Sequence, residues 1–81
     1  MDKTASQKGI EEWLLSYFIK ELNLSHEKVN VNTSFDELGV DSASIVMMVG
    51  ELEIWLGTSI DPVLLLEHNT IEKIAKCLVE L

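Results

Sequence analysis

The sequence predicts an all-α fold: a small four-helix bundle with three longer helices, one short helix and a long loop between the first two. Apolar residues recur at intervals of three and four, which is the spacing of amphipathic helices. No segment alternates apolar and polar residues as a half-buried strand does. The 81 residues are 47% apolar, and a chain this short buries only roughly 60% of its unfolded surface. We therefore expect one domain over residues 1–81.

The first apolar pattern predicts a helix over about residues 5–22. Thr4 and Gln7 have the spacing of a capping box, and Ser6 is an alternative N-cap. The apolar residues of this pattern are Ile10, Trp13, Leu14, Tyr17, Phe18 and Leu22.

A long loop is predicted between Asn23 and Asp41, because the periodicity breaks there and turn-forming residues accumulate. Long structureless connections are uncommon in small domains, so we expect apolar anchors within the loop. A short turn over residues 34–38 should end at Gly39. The expected anchors are Val29, Val31, Phe35 and Leu38.

The second helix is predicted over about residues 42–56, because both of its ends carry local signals. Asp41 and Ser42 are both favourable N-cap residues, and Gly57 suits the position after a helix end. Its expected core face consists of Val46, Val49, Leu52 and Leu56.

Two further helices complete the predicted bundle. Asp61 and Pro62 are typical of a helix start, which predicts a short third helix over about residues 62–66. Asn69 and Thr70 precede a fourth helical pattern over about residues 70–80. The apolar residues of the fourth pattern are Ile71, Ile74, Ala75, Leu78 and Val79.

The net charge of −8 is concentrated in the middle of the chain. From Val29 through Glu72 there are eight acidic residues, Glu72 included, and no Lys or Arg. Nucleic acids and anionic membranes are bound through clustered cations, so neither is an expected partner. Such a field favours basic protein partners.

Composition also argues against several classes of protein. No stretch approaches the roughly 20 apolar residues of a membrane span, and the N-terminus lacks the apolar run of a signal peptide, so we expect a cytoplasmic protein. Cys77 is the single cysteine, so no intramolecular disulfide is expected. His26 and His68 are the two histidines, and with these three residues the usual zinc spacings cannot be built, so no metal site is expected. The small core argues against a deep catalytic pocket, and we expect no enzymatic activity.

Ser42 is the candidate functional residue. A hydroxyl at a helix N-terminus lies near unpaired N–H groups and the positive end of the helix dipole. These stabilise a phosphodiester on that oxygen by roughly 0.3–1 kcal/mol at an exposed site. The alternative is that Ser42, or Asp41, serves only as an N-cap.

Residues 34–42, Ser-Phe-Asp-Glu-Leu-Gly-Val-Asp-Ser, resemble the attachment site of acyl carrier and peptidyl carrier proteins, the phosphopantetheine-binding family. The resemblance continues through residues 41–57 and 62–71, in a form common among modular polyketide and nonribosomal carriers, and covers about residues 10–80. It implies the four-helical carrier fold, with 4'-phosphopantetheine attached covalently to Ser42. It also implies that Asp41 supports this modification by a phosphopantetheinyl transferase and its magnesium.

By this resemblance, the chain is a non-catalytic, monomeric acyl carrier protein that delivers acyl thioesters in polyketide or fatty-acid biosynthesis. The implied partners, besides the transferase, are loading and chain-processing enzymes: an adenylate ligase, an acyltransferase and a ketosynthase. Residues 50–57 are also similar to carriers that are loaded by fatty acyl-adenylate ligases. The alternatives are a peptidyl carrier domain of a nonribosomal peptide synthetase and an unmodified helical module that binds a basic partner through its second helix.

Two positions depart from the family's pattern and lead to a docking hypothesis. Ala43 follows the serine where many members have leucine, and Met47 stands where many have glutamate. Residues three and four apart share a helix face, so we expect a mixed apolar and acidic docking surface. The alternative is that Met47 and Ile54 pack on the preceding loop. The expected docking residues are Ala43, Met47, Gly50, Glu51, Glu53 and Ile54.

Overall fold

The computed structural model describes residues 6–80 and confirms the all-α prediction. Across these residues no strand is present; one isolated β-bridge joins Ser34 and Thr70. None of the helices in this part of the chain has both the length and the apolar character needed to cross a bilayer. The four helices are α1 (Gln7–Lys20), α2 (Ser42–Leu56), α3 (Val63–Glu67) and α4 (Ile71–Val79).

Helix α1 is shorter than the predicted range of 5–22. It begins after Ser6, whose Oγ accepts a hydrogen bond from the Gly9 N–H at 2.9 Å. The predicted Thr4 cap and the start at residue 5 lie outside the described residues. At the other end, the backbone reaches a positive φ of 57° at Asn23. Asn tolerates this left-handed conformation better than most residues. The helix has already ended at Lys20, with Glu21 as the C-cap residue, whose N–H donates to the Tyr17 carbonyl at 2.8 Å.

The bounds of α2 agree with the predicted range of 42–56. Asp41 is the N-cap residue. Gly57 ends the helix with a φ of 72° and donates its N–H to the Glu53 carbonyl at 2.7 Å. Both ends of α2 are thus fixed by the local signals on which the prediction rests.

Helices α3 and α4 differ slightly from the predicted ranges of 62–66 and 70–80. Pro62 precedes α3 rather than opening it, and the Val63 N–H donates to Asp61 Oδ1 at 3.0 Å. The Thr70 Oγ1 accepts from the Lys73 N–H at 3.1 Å, so that α4 begins one residue after its cap.

The hydrophobic core includes residues from every helix and from the long loop. The predicted core face of α2 is wrong at Val46, which is 56% exposed, and Leu56 is only partly buried. Val49 and Leu52 are buried as predicted, at 3% and 0% exposure. Each helical residue turns by about 100°, and Met48, which is 0% exposed, lies at the centre of the buried face in place of Val46. The other fully buried large side chains are Phe18, Ile10, Leu14, Leu65, Ile71 and Ile74.

The loop before α2 is anchored as predicted. Val29 and Phe35 are buried, while Val31 and Leu38 pack against the core and are partly buried. Its turn ends at Gly39, where φ is 73°. Two further hydrogen bonds fasten this loop to the α3–α4 junction: Phe35 N–H to Asn69 O and Glu72 N–H to Val31 O, both 2.9 Å long. The loop is thereby held against the start of α4 and the residues before it.

Candidate functional site

Ser42 is the first residue of α2, and its side chain is exposed. The N-cap position belongs to Asp41, whose Oδ1 accepts a hydrogen bond from the Ser44 backbone N–H at 2.8 Å. Of the two possible caps in this sequence, Asp41 is therefore the one that the fold uses. The Ser42 hydroxyl lies at the positive end of the helix dipole and faces solvent.

The carboxylate beside Ser42 is held in its charged form. Hydrogen bonding from the Ser44 backbone N–H, followed by hydrogen bonding from the Ser44 side chain, lowers the pKa of Asp41 below its usual value of 3.8. A carboxylate that accepts such bonds is stabilised relative to the neutral acid. Across residues 6–80, no group of three or more His, Cys, Asp or Glu residues is placed to hold a metal ion. The site thus offers the hydroxyl of Ser42 and, next to it, the carboxylate of Asp41, whose oxygens can coordinate a cation.

An apolar groove of about 320 Å³ opens beside Ser42, between α2, α3 and the anchored loop. Phe35 and Leu65 line it and are buried, and Ile45 lines it from α2. This volume lies at the lower limit of ligand sites. Three large apolar residues that line it are exposed: Val46, Val63 and Leu66, at 56%, 50% and 77%.

The sequence contains one signal for this groove that helical periodicity does not capture. Residues 63–66 are four consecutive apolar residues within a short helix. Successive residues of a helix point in different directions, so one turn cannot bury all four. Leu65 enters the core while Val63 and Leu66 stay exposed at the groove. The same geometry explains Val46, which faces α3 rather than the core.

The expected docking residues of α2 form an exposed apolar stripe. Met47 is 66% exposed and Ile54 is 84% exposed, so the alternative in which they pack on the preceding loop is wrong. Ala43 is also exposed. A Cβ added at Gly50 would meet no atom within 4 Å. The stripe formed by these four residues is therefore open to solvent along its length.

The two acidic docking candidates lie on opposite sides of this stripe, because Glu51 and Glu53 are about 200° apart around the helix. Glu51 is exposed on the side of α1 and interacts with Tyr17. Glu53 is half-buried, and its Oε2 accepts a hydrogen bond from the Ile60 N–H at 2.6 Å. Sequence reasoning missed both of these internal contacts.

Aromatic side chains join α1 to α2 on the side away from α3. The Trp13 ring stacks on Tyr17 at a centroid distance of 5.3 Å and on Trp55 at 5.7 Å. Burial and, second, interaction with the Glu51 carboxylate raise the pKa of Tyr17 above 10.0. This side of α2 is therefore in contact with side chains of α1, whereas the side with Ser42 and Val46 borders an open groove.

Comparison with known families gives a match over most of the chain. The model of the family described as "Phosphopantetheine attachment site" matches residues 12–78. Proteins of this family carry a covalently attached 4'-phosphopantetheine on a serine. Such carrier domains are modified by phosphopantetheinyl transferases, work with synthase enzymes and are generally not catalysts themselves.

Individual proteins show the same similarity. The acyl carrier protein TtuC of Teredinibacter turnerae is 25% identical over 76 residues, which are 94% of this chain and 87% of TtuC. A phenolphthiocerol/phthiocerol polyketide synthase polypeptide of Mycobacterium tuberculosis is 30% identical over 71 residues. These are 88% of this chain but only 4% of that much longer polypeptide.

Among solved structures, a free-standing peptidyl carrier protein from Acinetobacter baumannii superposes with a TM-score of 0.84 at 24% identity. The superposition covers 94% of this chain and 95% of that one, and it shows that the fold is the same. An exposed serine at the start of a helix, next to an apolar groove, fits a group that is attached through oxygen and extends along the surface. Since the family model covers residues 12–78 and the fold agrees, this chain belongs to the family of phosphopantetheine-binding carrier proteins.

Proposed function

We propose that the chain is an acyl carrier protein that holds acyl groups on 4'-phosphopantetheine attached to Ser42, for polyketide or fatty-acid biosynthesis. The observation that carries this proposal is the position of Ser42. It is exposed, it is the first residue of α2, and Asp41 rather than Ser42 caps the helix. The attached group supplies the thiol on which an acyl group is held as a thioester.

The residues around Ser42 support its modification. The Ser42 Oγ would form a bond to the phosphorus that carries the pantetheine arm of coenzyme A and would lose its proton, while the pyrophosphate bond of coenzyme A breaks and 3',5'-ADP leaves. The helix N-terminus stabilises the negative charge of the resulting phosphodiester. Asp41 is ionised at neutral pH, as an ordinary aspartate is, and the Ser44 hydrogen bonds lower its pKa further. Its carboxylate is a suitable oxygen ligand for the magnesium ion of a phosphopantetheinyl transferase.

The groove beside Ser42 supports an apolar cargo. Its walls are mostly apolar side chains of α2, α3 and the anchored loop. Part of an acyl chain placed there would bury apolar surface at roughly 25 cal/mol per Å². The volume of about 320 Å³ limits how much of a long chain can enter.

The proposed docking surface is the stripe of Ala43, Met47, Gly50 and Ile54, with the acidic residues Glu51 and Glu53 on its two sides. Exposure of Met47 and Ile54 supports it, and so does the lack of Lys or Arg between Val29 and Glu72. Partners should therefore present Lys or Arg around an apolar contact, and binding should weaken as salt rises.

The attachment proposal is tested by incubating the protein with coenzyme A and a promiscuous phosphopantetheinyl transferase, followed by intact mass measurement. Wild type should gain one phosphopantetheine and Ser42→Ala none. Ser44→Ala is the matched control, because Ser44 lies in the same helical turn, and this variant should still be modified. Folded wild-type protein that gains no mass would instead favour an unmodified helical interaction module.

The cargo is tested by loading the modified protein with purified adenylate-forming ligases. Fatty acyl-adenylate ligases should transfer fatty acids onto the thiol, while amino acid-activating domains should transfer little. The similarity to TtuC and to a polyketide synthase favours the first outcome. Preferential aminoacylation would support the peptidyl carrier alternative, which the Acinetobacter baumannii structure represents.

Docking is tested by substituting Met47→Glu and Ile54→Glu and measuring the rates of modification and loading. Both rates should change in the folded double variant, because the substitutions replace apolar contacts with charges. Val79→Glu is a suitable control, because Val79 is 37% exposed and lies on α4. Unchanged rates in the double variant would remove this surface from the proposal.

A further inference from the structure

Glu53 connects the end of α2 to the start of α3 through three hydrogen bonds. Its carbonyl accepts from the Gly57 N–H at 2.7 Å and from the Thr58 N–H at 3.2 Å, as in many helix ends. Its side chain does something further: Oε2 accepts from the Ile60 N–H at 2.6 Å. This last bond spans seven residues and fixes the middle of the turn.

The residue held in this way leads directly into α3. Ile60 is 3% exposed and belongs to the core. The next residue, Asp61, accepts hydrogen bonds from Val63 and Leu64 and so starts the helix. A helix of five residues is too short to be stable by itself. The position of α3 therefore depends on how its ends are attached.

The position of α3 in turn defines the groove. Val63, Leu65 and Leu66 of α3 form the wall opposite Ile45 and Val46 of α2. A shift of the 57–62 turn would change the distance between these walls.

We propose that the Glu53 carboxylate is a positioning group: by holding the Ile60 N–H, it sets the position of α3 against α2 and so keeps the groove beside Ser42 in shape. The hydrogen bond can be tested without any attached group, whereas its importance for a carried acyl chain rests on the proposed function.

The surroundings of Glu53 favour this role over that of a docking carboxylate alone. Its side chain is half-buried, on the flank of α2 that faces α3, whereas Glu51 is exposed. No Lys or Arg occurs between Val29 and Glu72, so the backbone N–H of Ile60 is the partner that this part of the chain provides.

Two variants separate the hydrogen bond from the charge. Glu53→Asp keeps the charge but withdraws the oxygen by one methylene, whereas Glu53→Gln removes the charge but keeps an acceptor of the same reach. In the unmodified, ¹⁵N-labelled protein, the Ile60 amide of Glu53→Asp should exchange with solvent at least about tenfold faster than in wild type. The exchange rate of the Ile60 amide in Glu53→Gln should lie between the rates in wild type and in Glu53→Asp. Glu67→Ala removes an exposed carboxylate of α3, and its Ile60 amide should exchange at the wild-type rate.

The consequence for the groove is read from residual dipolar couplings of the α3 amides relative to those of α2. They should change in Glu53→Asp and stay near wild type in Glu53→Gln. Wild-type exchange at Ile60 in Glu53→Asp, or faster exchange in Glu53→Gln than in Glu53→Asp, would overturn the proposal. If Glu53→Asp does not fold, the test rests on Glu53→Gln. Protection of its Ile60 amide from exchange would support the hydrogen bond, and loss of that protection would refute it. None of these results depends on whether Ser42 is modified.

Discussion

Asp41 Oδ1 accepts a hydrogen bond from the Ser44 backbone N–H at 2.8 Å, and this contact assigns the capping of α2 to Asp41. The neighbouring Ser42 is therefore exposed at the first helical position and does not fill the cap. Two adjacent polar residues with similar preference for the N-cap position thus have different roles at the start of α2.

Acid should weaken the cap at Asp41. Because hydrogen bonds from Ser44 lower the pKa of Asp41, its contribution to stability is complete above the ordinary Asp pKa and is lost as the pH falls through the lowered value. Asp41→Asn keeps a capping oxygen that does not titrate in this range. The urea midpoint of wild type should fall relative to that of Asp41→Asn on acidification. A difference that is independent of pH would contradict this assignment.

The titration of Tyr17 should report on its contact with Glu51. Burial and the Glu51 carboxylate raise the pKa of Tyr17, and Glu21 adds a smaller effect. Tyr17 is the single tyrosine, so tyrosinate absorbance measures it alone. Glu51→Gln should lower the Tyr17 pKa toward 10.0, and by more than Glu21→Gln does. An equal or larger effect of Glu21→Gln would show that Glu51 does not face the ring.

Replacing Gly50 by alanine should stabilise the fold. Alanine is favoured over glycine within helices by about 1 kcal/mol, and a Cβ at Gly50 meets no neighbouring atom. Gly57→Ala is the contrasting variant, because its φ of 72° is strained for any L-residue with a Cβ. Urea denaturation should show a higher free energy of unfolding for Gly50→Ala and a lower one for Gly57→Ala. A Gly50→Ala protein that docks more slowly would further support contact at this position.

Two leucines should differ sharply in their importance for stability. Leu52 is 0% exposed and Leu66 is 77% exposed. Leu52→Ala should lower the free energy of unfolding by about 2–5 kcal/mol, since it leaves a cavity in the core. Leu66→Ala should change it by less than about 0.5 kcal/mol, although it removes part of the groove. Comparable losses in the two variants would mean that α3 packs differently from the arrangement described.

Much of the fold could be predicted because its signals are local. Asp41 and Gly57 mark both ends of α2, and both ends are where the sequence indicated. Val46 was misassigned for a physical reason: periodicity identifies a helix face but not which neighbour covers it. The short α3 leaves Val46 beside a groove instead of a filled core. Helix α1 ends at Lys20, before Leu22, the last residue of its apolar pattern, because helical periodicity does not encode where the backbone leaves the helix.

The candidate site could be predicted only in part. Ser42 stands at a helix start, as its sequence context indicated, but the division of roles with Asp41 needed coordinates. The Glu53 side chain binds an N–H seven residues away, and no spacing rule for helices or turns singles out such a contact. The groove arises from three separate segments, so no single stretch of sequence reveals it.

The stacked Trp13 and Trp55 are an intrinsic fluorescence probe of the fold. They are the two tryptophans of the chain, and both sit on the seam between α1 and α2, across the molecule from the groove. Their fluorescence emission therefore reports on the contact between α1 and α2. It should depend little on a group bound at the opposite side of α2. Unfolding curves of bare and loaded protein can thus be compared with one unaltered fluorescent reporter.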